Sequence, residues 1–185
     1  MTVSKLIFAL WIVFYAYWAI SAIGVKKPVR GKPWIESVCL RILLVIIALA
    51  LFRVLHVHVH VPVRSSNSVA DGIGACLCVA GLAFAVWARR HLGRNWGMPM
   101  SLKQGHELIT TGPYRRLRHP IYTGILLAIL GSCIVGGRVW LVVFVVVGAF
   151  LIYSARTEER LMMQAFPREY PEYKKKTKAL IPLVW

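Results

Sequence analysis

The feature that most constrains this chain is a series of long apolar runs separated by basic stretches. About 20 consecutive apolar residues form a helix that crosses the roughly 30 Å hydrocarbon core of a bilayer. Inside lipid a run must satisfy its own backbone hydrogen bonds, which a helix does and an open strand does not. Because 58% of the 185 residues are hydrophobic, a soluble chain could not cover them with so few charges. The sequence therefore predicts an all-α, polytopic membrane protein.

Five apolar runs are long enough to be membrane spans. The last two have 15 residues each, about 22 Å of helix, and are separated by Gly136-Gly137-Arg138. A glycine pair beside an arginine is typical of a turn, so these two runs are predicted to form a helical hairpin. The predicted spans are residues 4–24, 38–61, 69–88, 121–135 and 139–153, within one membrane domain of residues 1–185.

The basic residues are distributed unequally around these spans. The net charge is +16, and 18 of the 23 Lys and Arg residues lie in the first loop, in residues 89–120 and in residues 154–185. By the positive-inside rule these three segments are cytoplasmic, which places the N-terminus outside. Residues 89–120 and 154–185 flank the hairpin and are expected to be close in space and to hold the polar site. Since the charges adjoin apolar runs, the expected partners are membrane lipids and not nucleic acid.

A polar motif, Arg118-His119-Pro120-Ile121-Tyr122, precedes the fourth predicted span. Proline suits the first turn of a helix, where its missing N–H costs no hydrogen bond. Arginine and tyrosine at this position are also typical of a membrane interface, where arginine snorkels and tyrosine anchors the helix. The spacing alone leaves a ligand site and an interfacial belt both open.

Two of the seven acidic residues are adjacent, in Arg156-Thr157-Glu158-Glu159 at the inner end of span five. Arg156 and Glu159 are three residues apart, so they can form an ordinary ion pair on a helix. A carboxylate at the membrane surface can equally accept hydrogen bonds from a cationic or hydroxyl-rich ligand. The residue types do not decide between these alternatives.

The other polar features near the apolar runs do not predict a metal site. His56 and His60 share a helical face, with His58 on another side, but no third ligand is near in sequence. Arg53 lies inside a span, where a charge costs about 2.5–3.5 kcal/mol, so it is expected to face a partner within the bundle. The four cysteines form no Cys-x-x-Cys pair and are interpreted as free thiols: Cys39, Cys76, Cys78 and Cys133.

The C-terminal half carries an ordered set of motifs that resembles a known family. The motifs are Gly105-His106-Glu107-Leu108-Ile109, Gly112-Pro113-Tyr114, the Arg118–Gly124 stretch, Arg156–Glu159 and Phe166-Pro167-Arg168-Glu169-Tyr170. This order is similar to the isoprenylcysteine carboxyl methyltransferase family, within a wider group that includes phospholipid methyltransferases. The resemblance covers about residues 105–185, and the N-terminal half matches only in hydropathy.

The resemblance implies a helical membrane fold that binds S-adenosylmethionine near the cytoplasmic face without a Rossmann domain. The absence of a Gly-x-Gly-x-x-Gly fingerprint after a strand agrees with this. The resemblance also implies a lipophilic or prenylated acceptor, with Arg156 and Glu159 in the catalytic region. The family arginine falls one turn before Glu158, where this chain has Ser154. The implied cofactor-binding residues are His106, Glu107, Leu108, Ile109, Tyr114, His119, Pro120, Tyr122 and Glu158, and no metal is implied.

Four functions remain open at this point. The first is carboxyl O-methylation of an isoprenylated cysteine or a similar lipophilic carboxylate, and the second is N-methylation of a phospholipid amine. The third is reduction of an unsaturated lipid, because some sterol reductases share a similar C-terminal pattern. The fourth is a non-catalytic membrane protein, which predicts no cofactor affinity.

The charge distribution predicts that Lys103 and Lys175 face the same compartment. With the native cysteines replaced by serine, Lys103→Cys and Lys175→Cys should react with a membrane-impermeant maleimide from the same side. Arg64→Cys, predicted on the other side, is the matched control. Labelling of Lys103→Cys and Lys175→Cys from opposite sides would refute the five-span arrangement.

Overall fold

The computed structural model describes residues 2–21, 28–31, 68–96, 101–103 and 107–180. Within these ranges, two short antiparallel strands and two 3₁₀ turns accompany five α-helices. The strands are β1 (Pro28–Gly31) and β2 (Ser101–Lys103), and the 3₁₀ turns cover Gly93–Asn95 and Gly112–Arg115. The helices are α1 (Val3–Ser21), α2 (Ser68–Leu92), α3 (Pro120–Gly136), α4 (Arg138–Ala165) and α5 (Glu169–Lys176).

Three of the described helices, α1, α2 and α4, are long and apolar enough to cross a membrane, by length and composition. The fourth apolar helix, α3, has 17 residues, which is about 25 Å of helix. Gly137 joins α3 to α4 with a φ of 68°, in the region that favours glycine, at the predicted hairpin turn. The run at 38–61, with Arg41, Arg53 and the three histidines, lies outside the described residues, so five spans stay a prediction.

The helix α4 extends beyond its apolar run. Hydropathy predicted a span that ends at residue 153, but the helix continues through Glu158 and Glu159 to Ala165. The two ends differ because apolar length measures contact with lipid, whereas a helix ends where its backbone pattern breaks. Phe166, which precedes Pro167, has left the helical conformation with φ −129° and ψ 67°, as expected for a residue before proline.

The prediction of an all-helical chain holds for every long described element and needs one correction. Strands β1 and β2 pair antiparallel, with Arg30 opposite Leu102 and Gly31 opposite Ser101. Strands of three or four residues carry too little periodicity to be recognised in a hydropathy profile. The pair joins the first loop to the segment that precedes α3, so these two basic segments lie at the same end of the bundle.

Glycines let α2 and α3 pack with their backbones in contact. A Cβ built on Gly81 would lie 2.5 Å from the backbone N of Ala128 and from the carbonyl O of Gly124. A Cβ on Gly131 would meet the carbonyl O of Gly74 at the same distance. In lipid, close packing of small residues replaces the hydrophobic effect as the force that holds helices together. The glycines therefore fix how α2 and α3 sit against each other.

Trp11 is one of the residues that attach the helix α1 to this pair. The indole Nε1 of Trp11 donates to Ser132 Oγ on α3 at 3.0 Å, which satisfies a hydroxyl that is fully buried. The Trp11 ring also stacks on Trp140 of α4, with 5.9 Å between ring centroids. One side chain thus connects α1 to both helices of the hairpin.

The chain after α5 returns to the turn before α3 and pairs with it. The backbone N–H of Arg118 donates to Lys178 O at 2.8 Å, and that of His119 donates to Ala179 O at 3.0 Å. Thr123 Oγ1 donates to Leu180 O at 2.6 Å. Segments on either side of the hairpin in sequence therefore form one structure at its end, which holds the site described next.

The close contact between α2 and α3 predicts that a single methyl group at Gly81 destabilises the fold. Gly81→Ala should lower the free energy of unfolding by about 1–3 kcal/mol, the usual cost of overpacking a tight contact. Gly72→Ala on the same helix is the matched control, since a Cβ there meets nothing within 4 Å. Thermal unfolding in detergent measures both, and equal midpoints would contradict the packing argument.

Candidate functional site

The site begins at the 3₁₀ turn Gly112–Arg115, which buries Tyr114. Gly112 has a φ of 57° and leaves room for the ring of His91, which would lie 2.6 Å from a Cβ at that position. His91 also bonds Thr111 Oγ1 at 2.8 Å and stacks on Tyr114. From the other side, Tyr173 Oη of α5 donates to Tyr114 O at 2.7 Å. The turn is thus held by both α2 and α5.

Pro120 is the first residue of α3. His119 immediately precedes it, and Tyr122 lies in the first turn of the helix. The two rings are stacked, with centroids 5.4 Å apart and planes 5° from parallel. Tyr122 Oη donates to Glu158 Oε1 at 2.6 Å, and His119 Nδ1 lies 3.5 Å from Glu158 Oε2. With 25% of its side chain exposed, Glu158 remains accessible to a ligand.

The neighbouring carboxylate, Glu159, has a different set of partners. Arg118 Nε donates to Glu159 Oε1 at 2.7 Å, and Lys174 Nζ lies 2.7 Å from Glu159 Oε2. His119 Nε2 is 3.5 Å from Glu159 Oε1 but makes no hydrogen bond of good geometry within the described part of the chain. His119 therefore lies between two carboxylates that are adjacent in sequence.

The two carboxylates determine the charge of His119. Burial alone lowers the pKa of an imidazole, but the contacts with Glu158 and Glu159 outweigh it and raise the pKa of His119 above its ordinary value. Burial, with a further contribution from Glu158, raises the pKa of Tyr114, so its phenol stays protonated. The two carboxylates therefore favour the protonated form of the buried His119 imidazole, beside a tyrosine that keeps its proton.

The structure brings most of the predicted cofactor residues to this cluster. Ile109 packs in the same apolar group as Tyr114 and Tyr122, which also includes Ala155 and Leu180. Pro120 is fully buried at the start of α3. His119, Tyr122 and Glu158 are in direct contact, as given above.

The structure gives fewer contacts for residues 107 and 108, in the earlier part of the predicted cofactor segment. Glu107 is exposed and accepts a hydrogen bond from Asn95 Nδ2 at 3.4 Å, and Leu108 is half-buried. His106 lies outside the described residues. Cofactor binding stays a prediction for these three residues, as it does for the six in the cluster.

The residues predicted for catalysis lie beside a cavity of about 200 Å³ at the end of α4. Both Arg156 and Glu159 line it, although the Arg156 side chain is exposed. Ser154, which stands where the family resemblance implies an arginine, is fully buried, and its hydroxyl makes no hydrogen bond within the described residues. Its burial shows that position 154 belongs to the helix packing.

Sequence reasoning did not find two of the charged residues in this cluster. Arg118 was left open between a belt and a site, and its guanidinium in fact bonds Glu159 and, through Nη1, Thr177 O at 2.5 Å. Lys174 lies in a run of three lysines, Lys174 to Lys176, which the sequence placed only among the basic residues of the cytoplasmic segments. Nothing in that run distinguishes Lys174 from Lys175, because only the return of α5 onto α4 brings Lys174 to Glu159.

Comparisons with known proteins locate the likeness in the same part of the chain. The phospholipid methyltransferase family model matches residues 70–169. The cobalt-zinc-cadmium resistance protein CzcN of Cupriavidus metallidurans is 36% identical over 49% of this chain and 43% of its own length. A probable protein-S-isoprenylcysteine O-methyltransferase of Oryza sativa is 35% identical over 43% of this chain and 42% of its own.

A solved structure resembles the fold as well. The eukaryotic intramembrane Ras methyltransferase ICMT, an isoprenylcysteine carboxyl methyltransferase, matches with a TM-score of 0.56 at 25% identity. The match covers 61% of this chain and 42% of the other. The chain thus spans about half the length of these relatives or less.

The apolar helices and the charged cluster at the end of α4 define a helical membrane protein with a polar site at one end of its bundle. Because the family model matches more than half of the chain, this chain belongs to the phospholipid methyltransferase family. The resemblance to isoprenylcysteine carboxyl methyltransferases, inferred from the motifs between Gly105 and Trp185, is confirmed by the curated relatives and the solved structure.

The raised pKa of His119 predicts a stability that depends on pH. A raised folded-state pKa stabilises the fold fully below the ordinary value of 6.5, and this contribution is lost as pH rises through the folded-state pKa. The thermal midpoint of the wild type should exceed that of His119→Gln most at low pH, and the difference should shrink as pH rises. His91→Gln is the control for loss of an imidazole. A difference that grows with pH would contradict the assignment.

Proposed function

We propose that this chain is an S-adenosylmethionine-dependent methyltransferase that acts on a lipophilic acceptor at the membrane surface. The preferred reaction is carboxyl O-methylation of an isoprenylated cysteine or a similar lipophilic carboxylate. The observation that carries the proposal is the accessible Glu158 carboxylate, held by Tyr122 and His119 within the part of the chain that matches the family.

The residues of this cluster fit the chemistry of the proposed cofactor. S-adenosylmethionine has an ammonium group and ribose hydroxyls, which donate hydrogen bonds, and an adenine ring, which packs on apolar or aromatic side chains. Glu158 offers acceptor oxygens at 25% exposure, and Ile109, Tyr114 and Tyr122 offer an apolar and aromatic surface. By resemblance, residues 106–109 would contribute further contacts.

When bound, S-adenosylmethionine supplies an electrophilic methyl group on a positively charged sulfur. The chain contributes by holding donor and acceptor in line, which can account for much of the acceleration of such a transfer. Glu158 attracts the cationic end of the cofactor, and Tyr122 fixes the orientation of that carboxylate. Arg156 is proposed to face the acceptor. Glu159 is proposed to position the cationic side chains that contact its carboxylate.

The environment of Glu159 favours an acceptor that needs no base. A carboxylate is already ionised at neutral pH, whereas a protonated amine must lose a proton before it can attack. Both oxygens of Glu159 contact cations, Arg118 and Lys174, at 2.7 Å. A carboxylate held in this way is a weak proton acceptor, which supports O-methylation.

Phospholipid amine N-methylation is the alternative, and the family to which the chain belongs supports it. In that case Glu158 is the candidate base, since its side chain is 25% exposed and can reach an acceptor at the site. The two reactions share the same site and differ in the group presented to the cofactor.

The proposed site faces the cytoplasm. The first loop, the segment before α3 and the chain after α5 meet at this end of the bundle, through β1 with β2 and through Leu117 with Lys178. These segments carry most of the basic residues, which favour the cytoplasmic side. A water-soluble cofactor would then enter from the cytoplasm, and a lipid-like acceptor from the bilayer.

Cofactor binding tests the proposal. The full chain in detergent should bind S-adenosylmethionine, and Glu158→Gln should weaken binding at least about tenfold because it removes the charge that attracts the ammonium group. Glu169→Gln, an exposed change of the same kind on α5, should bind as the wild type does. Calorimetry measures all three.

Labelled cofactor then separates the two acceptors. Transfer to a farnesylcysteine analogue and not to phosphatidylethanolamine supports O-methylation, and the reverse supports the alternative. A wild-type chain that binds no S-adenosylmethionine would eliminate both reactions, and equal binding by Glu158→Gln and wild type would reject the assigned cofactor site.

A further inference from the structure

Arg89 is a buried cation in the last turn of α2, and the site described above does not use it. Its side chain is 5% exposed. Nη1 donates to Gly93 O at 2.9 Å, Nη2 donates to Ser21 O, and the guanidinium carbon lies 4.2 Å from the centre of the Trp96 ring. A buried cation usually pairs with a carboxylate, whereas these partners are two carbonyl oxygens and an indole. The guanidinium thus contacts the end of α1, the turn after α2 and Trp96.

Each of these contacts suits an arginine. Ser21 is the last residue of α1, where carbonyl groups have no N–H partner within the helix and form the negative end of its dipole. The flat face of a guanidinium stacks well on an indole. A lysine has neither a planar face nor donors that point in two fixed directions, so it cannot make all three contacts in this geometry.

The third nitrogen of Arg89 shows what determines the position of this side chain. Nε is buried and makes no hydrogen bond within the described residues. A buried N–H without a partner costs free energy, because its hydrogen bonds to water are lost and not replaced. The side chain therefore lies where it holds the three segments together, and not where all of its own donors are satisfied.

Trp96 connects Arg89 to the cluster of proposed cofactor residues. Its ring meets Trp18 of α1 edge-on, with 5.6 Å between the ring centroids. Both tryptophans pack against the apolar group that contains Tyr114 and Tyr122, and Ile109 packs against the same group. The indole that Arg89 holds is therefore part of the packing around these residues.

Asn95 makes a second connection. It lies in the 3₁₀ turn that Arg89 bonds through Gly93 O, and it is buried, with 8% of its surface exposed. Its Nδ2 donates to Glu107 Oε2 at 3.4 Å. Glu107 belongs to the predicted cofactor segment 106–109. The bonds of Arg89 and Asn95 are thus successive links between the end of α1 and that segment.

We propose that Arg89 is a positioning residue, which fixes residues 93–96 against the end of α1 and thereby determines where Glu107 and Ile109 lie. It acts through Asn95 and Trp96, and not by contact with a ligand. That the residues it positions bind S-adenosylmethionine rests on the proposed function. The end of α1 and the cofactor segment are then one mechanical unit, although α1 contributes none of the proposed cofactor residues.

Hydrogen–deuterium exchange of the full chain in detergent tests the positioning without a ligand. Arg89→Lys keeps the charge but loses the planar fork, so it should speed exchange at residues 93–96 and 107–111 at least about threefold. Exchange at residues 74–81 and 124–131, where α2 and α3 are in contact, should stay at the wild-type rate. Arg90→Lys, the same change at the exposed neighbouring position, is the matched control and should leave all of these rates unchanged.

Cofactor affinity is the second measurement. Arg89→Lys should raise the Kd for S-adenosylmethionine about tenfold, with the stoichiometry unchanged, because every chain then holds the cofactor segment less well. A role in folding alone would lower the fraction of chains that bind and leave the Kd of the rest at the wild-type value. Asn95→Ala should also raise the Kd, and the double variant should fall short of the product of the two effects, since both changes break one path. If Arg89→Lys does not fold, Trp96→Leu breaks the other link and is measured in the same way.

The two measurements separate this inference from the proposed function. Unchanged exchange at residues 107–111 in Arg89→Lys overturns the inference, and so does an equal increase at residues 74–81 and 124–131, which would indicate a general loss of stability. A wild-type Kd in Arg89→Lys retains the proposed function and overturns the inference. The expected exchange pattern in a chain that binds no S-adenosylmethionine retains the positioning by Arg89 and rejects the proposed function.

Discussion

The end of this bundle depends on the contact of His119 with two adjacent carboxylates. Glu158 and Glu159 lie at the end of a membrane helix, where two anions side by side repel each other and lose part of their hydration. A buried charge without a partner costs several kcal/mol. His119, 3.5 Å from each carboxylate, offsets this repulsion, and Tyr122 and Arg118 complete the arrangement. Arg118 and His119 precede α3, and Tyr122 lies in its first turn. Their contacts with the two glutamates therefore connect α3 to α4.

The same residues connect the backbone. Arg118 contacts Glu159 through its side chain and pairs with Lys178 through its backbone N–H. His119 lies between the carboxylates and donates its backbone N–H to Ala179. The chain after α5 is therefore held by the residues that balance the charge, and a change in the ionic cluster also affects the backbone pairing beside it.

Sequence reasoning could predict features that depend on composition or on spacing along the chain. Apolar length predicted membrane helices, Gly137 predicted the turn between α3 and α4, and the ordered motifs identified the family. The choice of Tyr122 and Glu158 came from the resemblance, and the structure brings the two into hydrogen-bond contact.

Features that depend on contacts between distant residues could not be predicted in this way. The role of Lys174 requires α5 to return to α4, and the pairing of β1 with β2 joins residues about 70 positions apart. The full length of α4 did not follow from hydropathy, because polarity changes at residue 153 while the helix continues to Ala165. The contact of His119 with both glutamates likewise arises from packing, and no spacing in the sequence encodes it.

The continuity of α4 has a consequence for how the family can vary. Because the apolar stretch and both glutamates share one uninterrupted helix, each residue added within the stretch rotates everything beyond it by about 100° and moves it 1.5 Å. A single insertion would present Glu158 to Arg118 and Lys174, and would present Thr157 to Tyr122 and His119. The thickness of the bilayer and the identity of the residues at the site are thus coupled, because both depend on the number of residues in α4. A homologue suited to a thicker membrane would have to lengthen α4 by nearly whole turns.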